Sequence, residues 1–221
     1  RWAFLSAAVV GFGAPFLFGE WKALVALSLL LAAWIVLSSL LNIVNRVQAT
    51  QAGQSFLGAL FGQPASFMGM HLAHIGIAVF VVGVALVNGY QAEKDVKMAV
   101  GDTVTLKDYT FIFNGIREEK GPNYRALVGD VDLTKNGKLE RKLLPEKRIY
   151  PTFGMPMTEA AIDSGFLRDV YVSLGEPIDR SNIDGAWVVR VYYKPFVDWI
   201  WGGCVLMALG GVLAISDRRY R

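Results

Sequence analysis

Between Ala23 and Ala92 the chain carries one charged residue, Arg46. A run that long cannot be the surface of a water-soluble domain, which needs charge spread over its faces. Most of the charge sits elsewhere. Residues 93–194 hold 16 of the 22 Lys and Arg and 16 of the 19 Asp and Glu. That window reads as a water-facing domain of ordinary size, inserted between apolar segments. The expected organisation is a membrane region over 1–92, an outer domain over 93–194, and a last membrane helix with a basic tail over 195–221.

A bilayer-spanning helix needs about 20 mainly apolar residues. Four segments qualify as candidates: 2–18, 23–44, 66–88 and 196–215. The first is short and interrupted by Gly11, Gly13 and Pro15. Trp2, Trp21, Tyr90, Trp199 and Trp201 lie near the proposed ends, where amphipathic rings favour the headgroup zone. The connector 45–65 places Phe56, Leu57, Leu60 and Phe61 at helical spacing. This fits a short helix lying in the interface or packed on its neighbours. No basic leader or small-residue cleavage site marks the first segment as a signal peptide. Arg1 in place of an initiating Met leads to the expectation that the chain is a piece of a longer polypeptide.

Basic residues near helix ends favour the cytoplasmic side. Arg218, Arg219 and Arg221 follow the last helix, which predicts a cytoplasmic C-terminus. Residues 93–194 then fall on the far side, and Arg46, the connector 45–65 and Arg1 fall inside. Lys22 lies outside in this topology, beside Glu20.

The outer window reads as strands. Thr103–Leu106, Tyr109–Phe113, Arg125–Val128, Val131–Thr134, Val170–Leu174 and Trp187–Tyr193 alternate or form β-branched runs. Asn136-Gly137 between two of them is a tight hairpin signal. Met157–Ile162 is the one short run with a helical pattern, Thr158 and Glu159 opening the turn. The fold class is therefore an α-helical polytopic membrane protein, with about four transmembrane helices and an inserted small antiparallel β-rich domain, a sandwich or barrel.

Few residues carry chemistry. One cysteine excludes an internal disulfide and a multi-cysteine metal site. A net charge of +3 gives no nucleic-acid-binding footprint. No phosphate-binding loop, dinucleotide fingerprint, nucleophile elbow or haem-attachment CXXCH occurs. The two histidines, His71 and His74, share the third apolar segment at spacing i, i+3. An ionisable residue inside a membrane span is a functional candidate, and imidazole is a strong axial donor to haem iron. Their alternative role is structural, as hydrogen-bonding partners of neighbouring helices. Both project from one side of one helix, so the second ligand of any bis-histidine haem must come from another helix. Met155 and Met157 offer thioether sulfur but read better as loop filling. Glu159, Asp163 and Asp169 have no nucleophile or base beside them, and Cys204 reads as an apolar packing residue.

Several strings carry a family resemblance: Ala73-His74-Ile75-Gly76-Ile77-Ala78, then Tyr150-Pro151-Thr152 with Met155-Pro156-Met157-Thr158-Glu159-Ala160-Ala161-Ile162. Arg168–Glu176, Trp187–Val197, Trp201-Gly202-Gly203 and Asp217-Arg218-Arg219 continue the match. The chain resembles the C-terminal portion of the CcmF family, the haem lyase subunits of bacterial system I cytochrome c maturation. The resemblance implies a periplasmic β-rich domain in a bacterial inner-membrane protein. It implies attachment of haem b to the CXXCH thiols of apocytochrome c. The partners it implies are the haem chaperone CcmE, with CcmH and CcmI, and quinol as electron source. It also implies a transmembrane b-type haem whose iron takes one ligand from this helix, which maps to His74, with His71 as second choice. No residue of this segment is implied as a catalytic nucleophile. The family's tryptophan-rich haem-handling motif, its periplasmic haem-ligand histidines and the opposite ligand are not in this sequence, and belong to the upstream part of such a protein. A cofactor-free scaffold whose outer domain binds assembly partners, and a haem or solute transporter subunit, are the other readings.

Overall fold

The computed structural model describes residues 1–221 except 51, 52, 54, 152, 153, 180, 181 and 218–221. The tail arginines Arg218, Arg219 and Arg221 thus lie outside the described residues. The chain divides into a helical unit, residues 1–90 with 196–221, and a β unit, Gln91–Pro195.

The helical unit begins with α1, Trp2–Gly13, which tightens into a 3-10 segment over Ala14–Phe18. Pro15 opens that segment, where its missing N–H costs least. α2 covers Ala23–Thr50, running on past Val44, and α3 is a short helix over Phe56–Phe61 capped by the Ser55 hydroxyl. α4 covers Ala65–Tyr90 and α5 covers Val197–Ile215. Among the described residues three helices, α2, α4 and α5, are long and apolar enough to cross a membrane; Trp2–Phe18 is shorter. At about 1.5 Å per α residue and 2 Å per 3-10 residue, that first segment still reaches roughly the 30 Å of a hydrocarbon core.

α4 and α5 run antiparallel through a seam of glycines. Gly69, Gly76 and Gly83 recur every seven residues on α4, and Gly203 and Gly210 do so on α5. A Cβ built on Gly69 would lie 2.5 Å from the Gly210 carbonyl oxygen. One on Gly76 would lie 2.7 Å from the Met207 nitrogen, and one on Gly203 2.5 Å from the Phe80 nitrogen. Backbone therefore meets backbone along the seam. In lipid, where apolar burial gives helices no reason to associate, such close packing is the main attraction between them. The seven-residue period keeps the seam facing its partner along the helix length.

Both ends of α4 are tied down. At its start, the Ser66 N–H donates to Asp217 Oδ2 at 2.9 Å, so a carboxylate just past α5 caps α4 and meets its dipole. At its end, the Tyr90 hydroxyl donates to the Glu20 carbonyl at 2.9 Å, and Lys22 Nζ donates to the Gly89 carbonyl at 2.7 Å. Tyr90 also packs with Val25, Leu29 and Leu86, beside Phe18 and Phe196.

The β unit consists of two antiparallel sheets. β1 (Ala92–Met98), β10 (Trp187–Pro195), β9 (Arg168–Pro177) and β8 (Ala161–Gly165) form one, in the order β1-β10-β9-β8. The other runs β2 (Thr103–Leu106), β3 (Tyr109–Lys120), β4 (Arg125–Lys135), β6 (Glu146–Ile149), β7 (Pro156–Glu159), with β5 (Lys138–Leu143) also on β4. Inward residues of the two sheets share one core, including Phe111, Phe113, Val131 and Leu133 against Val172, Leu174, Trp187 and Val191. The buried Trp187 indole donates to the Ile183 carbonyl at 2.8 Å. The β4–β5 turn places Asn136 at φ 51° and Gly137 at φ 75°, as the Asn-Gly signal requires.

The helical turn expected over Met157–Ile162 is absent. The segment is instead β7 and the start of β8. Met157 pairs with Arg148 and Ile162 with Tyr171, so the two flanking ladders override a local helix preference that is worth only tenths of a kcal/mol per residue.

The seam gives a paired prediction. Gly210→Ala forces a methyl against the Ala73 nitrogen, whereas Gly211 has nothing within 4 Å of its Cβ position. Gly210→Ala is expected to destabilise the chain in detergent by about 1–3 kcal/mol, and Gly211→Ala to leave it unchanged, read from thermal or denaturant unfolding of each variant.

Candidate functional site

The two histidines lie in the first half of α4 and occupy different surroundings. Two residues before Gly76, His74 is about 200° around the helix from it, away from the α5 seam, and is exposed. His74 Nδ1 lies 2.7 Å from the Met70 carbonyl oxygen. A carbonyl only accepts, so Nδ1 carries the hydrogen and donates. That fixes the tautomer and leaves Nε2 with its lone pair on the outer side of the ring. A backbone carbonyl on the remote nitrogen is also the usual orienting contact behind a metal-bound imidazole.

His71 is 5% exposed. Its ring meets Phe67 edge-on, with centroids 4.5 Å apart. The Arg46 guanidinium lies over the other partner, 4.7 Å from the Phe67 centroid, and donates to Gln63 Oε1 at 3.0 Å. His71 Nε2 is buried with no hydrogen-bond partner among the described residues. The structure thus separates two residues that spacing alone treats alike: one presents an open nitrogen, the other an enclosed one.

These residues fit an axially ligated iron as half of a site. His74 has the donor chemistry, the oriented tautomer and the access. Gly76 lies against α5, where its Cβ position is 2.7 Å from the Met207 nitrogen. Among the described residues no group of three or more His, Cys, Asp or Glu is placed to hold a metal ion. A groove of about 630 Å³ between α2 and α4, bordered by Lys22, Ser28, Phe80 and Asn88, lies toward the opposite end of α4 from the histidines.

The other candidates from the sequence are structural. Met155 is 74% exposed and Met157 lies on β7, both on the β unit. Asp163 pairs with Arg168 at 2.5 Å and Arg141 at 3.1 Å. Asp169 accepts the Gly165 N–H, and Glu159 lies 3.9 Å from Arg148. Cys204 is a free thiol within α5. Arg168 also donates from Nε to the Tyr109 hydroxyl at 2.8 Å, with its guanidinium over the Tyr109 ring. Burial pulls its pKa down, but the hydrogen bonds to Tyr109 and Asp163 outweigh this and hold it above the ordinary arginine value. The sequence reading missed this joint between the sheets, and it missed the Asp217 cap. Only the position of Asp217, just beyond the last apolar helix, hinted at the latter.

Apolar helices long enough to cross a bilayer, with a β-sandwich inserted between α4 and α5, define a multi-pass membrane protein with an extramembrane β domain. Residues 89–195 match the family model described as the CcmF C-terminal beta-sandwich. The chain is 43% identical over 216 residues to the cytochrome c-type biogenesis protein CcmF of Pseudomonas aeruginosa, covering 98% of this chain and 32% of that protein. It is 42% identical over 220 residues to the protein of the same name from Escherichia coli, covering 99% and 32%. A solved structure titled cytochrome c heme lyase CcmF superposes with a TM-score of 0.73 at 18% identity, over 97% of this chain and 34% of that one. The chain belongs to the CcmF family, as a C-terminal portion of it. It spans about a third of the length of the curated relatives it matches.

The contrast between the histidines predicts a difference in stability. His71→Leu removes a buried nitrogen that has no partner, and is expected to leave the unfolding midpoint of the chain unchanged or raised. A loss of more than about 2 kcal/mol would show that His71 makes a hydrogen bond that the fold needs.

Proposed function

We propose that this chain is the C-terminal part of a cytochrome c haem lyase of a bacterial inner membrane, and that His74 supplies one axial ligand of a membrane-embedded b-type haem. His71 is the second choice. The observation that carries this reading is the His74 ring, with Nδ1–H fixed on the Met70 carbonyl and Nε2 open on the face away from α5. Family membership supports the lyase assignment, since the relatives are named for cytochrome c biogenesis.

Haem in such a site supplies one-electron chemistry, which in a lyase would keep the incoming haem iron reduced, with quinol as the source. The residues of this chain contribute placement. Met70 holds the tautomer, the glycine seam and the Asp217 cap fix α4, and the opposite ligand comes from the upstream part of the same protein. No side chain here acts as nucleophile. The thiols of the apocytochrome c CXXCH motif add across the haem vinyl groups, each S–H proton passing to the other vinyl carbon. The sandwich serves as a periplasmic docking domain for CcmE, CcmH, CcmI and apocytochrome c. In this topology the connector carrying Arg46 and the C-terminus are cytoplasmic. The buried, partnerless His71 nitrogen favours a packing role for that residue over ligation.

The test is a reduced-minus-oxidised absorption spectrum, with haem quantified, on the protein that includes the upstream part. In His74→Ala the b-type spectrum is expected to disappear, a loss at least as large as the roughly 10–100-fold that removal of an outer-shell partner costs a metal site. In His71→Ala it is expected to remain. Full haem retention in a folded His74→Ala protein would overturn the assignment.

A further inference from the structure

The β3–β4 ladder runs from Tyr109 opposite Lys135, where Arg168 holds the Tyr109 hydroxyl, to Lys120 opposite Arg125 at its other end. The hairpin loop there covers residues 121–124, and the Gly121 N–H donates to the Tyr124 carbonyl at 2.9 Å. A Cβ on Gly121 would lie 2.5 Å from the Tyr124 ring, so the ring rests on bare backbone. The Arg148 guanidinium also lies over the Tyr124 ring, 4.6 Å from its centroid, and the Tyr150 ring is 5.4 Å away. Arg148 is itself held by Glu146 at 2.7 Å. These contacts fix Tyr124 beside an open cleft of about 480 Å³, bordered by Lys120, Pro122, Tyr124, Arg125, Ile149 and Pro151.

The cleft is bordered by two cations and no acid. Lys120 and Arg125 face each other directly across the two strands, and both are exposed. Like charges in that position weaken a hairpin. Among the described residues neither forms an ion pair. Of the acids nearby, Glu119 is taken by Arg117 at 2.6 Å and Glu146 by Arg148, while Glu118 lies opposite Leu127. The apolar part of the cleft is exposed as well. Ile149, opposite Arg125 on the next strand, is 40% exposed, and the rings of Pro122 and Pro151 are open to solvent. Rigid aromatic and proline surface beside unpaired cations suits an extended acidic chain. Its proline or aliphatic residues lie on the rings, and its carboxylates meet the cations.

We propose that this cleft binds an extended acidic segment of a partner protein, with carboxylates on Lys120 and Arg125 and a proline or aliphatic side chain against Tyr124 and Pro122. The inference rests on the docking role proposed for the sandwich and requires nothing of the haem site. It gives that role a location and a charge preference.

Fluorescence anisotropy tests this, with the full chain in phosphatidylcholine nanodiscs added to a labelled peptide of alternating glutamate and proline. Saturable binding is expected, weakening as salt is raised, with none for a peptide of alternating lysine and proline. Lys120→Glu and Arg125→Glu each place opposite charges across the hairpin. Each is expected to weaken peptide binding roughly fivefold or more, with the unfolding midpoint kept or raised. A purely structural pair would not move in that way. No saturable binding, or unchanged affinity in both variants, would overturn the proposal. Equal affinity for a single-stranded oligonucleotide would mean that any polyanion binds, and would overturn the assignment to peptide. Equal affinity for a peptide of glutamate and glycine would overturn the role of Tyr124 and Pro122. If the titration fails while the partners named above still bind the full chain, the cleft is the wrong place and the docking role stands; if they fail to bind too, both readings fall.

Discussion

Backbone contact between α4 and α5 is the constraint on which the helical unit depends. Gly69, Gly76 and Gly83 meet Gly210, Gly203 and Ile200 at distances that leave no room for a Cβ. Lipid chains solvate leucine as well as another helix does, so apolar side chains alone would not hold this pair together. The seam fixes the rotation of α4. Once Gly76 faces α5, His74 must face away from it, while His71 meets Phe67 one turn earlier on the same helix. The ties at Asp217, Tyr90 and Lys22 then fix α4 along its axis. The direction of one imidazole is thus set by glycines on the opposite side of the helix.

The β unit is organised differently, around a shared core and a joint. Inward residues of the two sheets form one cluster around Trp187, Phe111 and Phe113. Arg168 closes one end by holding Tyr109 on one sheet and Asp163 on its own. A charge placed there is stable because each of its partners is hydrogen-bonded and fixed by strand pairing. The same closure lies at the end where the chain enters and leaves the sandwich, since Arg168 pairs with Pro195 and Ala92 with Tyr193.

Much of this was legible in the sequence, and what was not has physical reasons. The single charge between Ala23 and Ala92 separated membrane from water, and half-buried strands such as β3, β4 and β10 showed their alternation. Strands β1, β5 and β6, reading AEKDVKM, KLERKL and EKRI, were hidden because their charges obscure a period of two. Met157–Ile162 looked helical because local propensity is blind to the ladders on either side. The spacing of the histidines put them on one face and left their roles open. Only the structure separates them: His74 is exposed with Nδ1 on the Met70 carbonyl, whereas His71 is enclosed.

The central claim is that His74 bonds to iron directly, rather than supporting a ligand elsewhere. The most direct test is His74→Gly in the protein with its upstream part, titrated with free imidazole while the haem spectrum is followed. The account predicts that the low-spin b-type spectrum is lost in the variant and restored in proportion to the imidazole added. A low-spin spectrum that persists in His74→Gly without imidazole would contradict it.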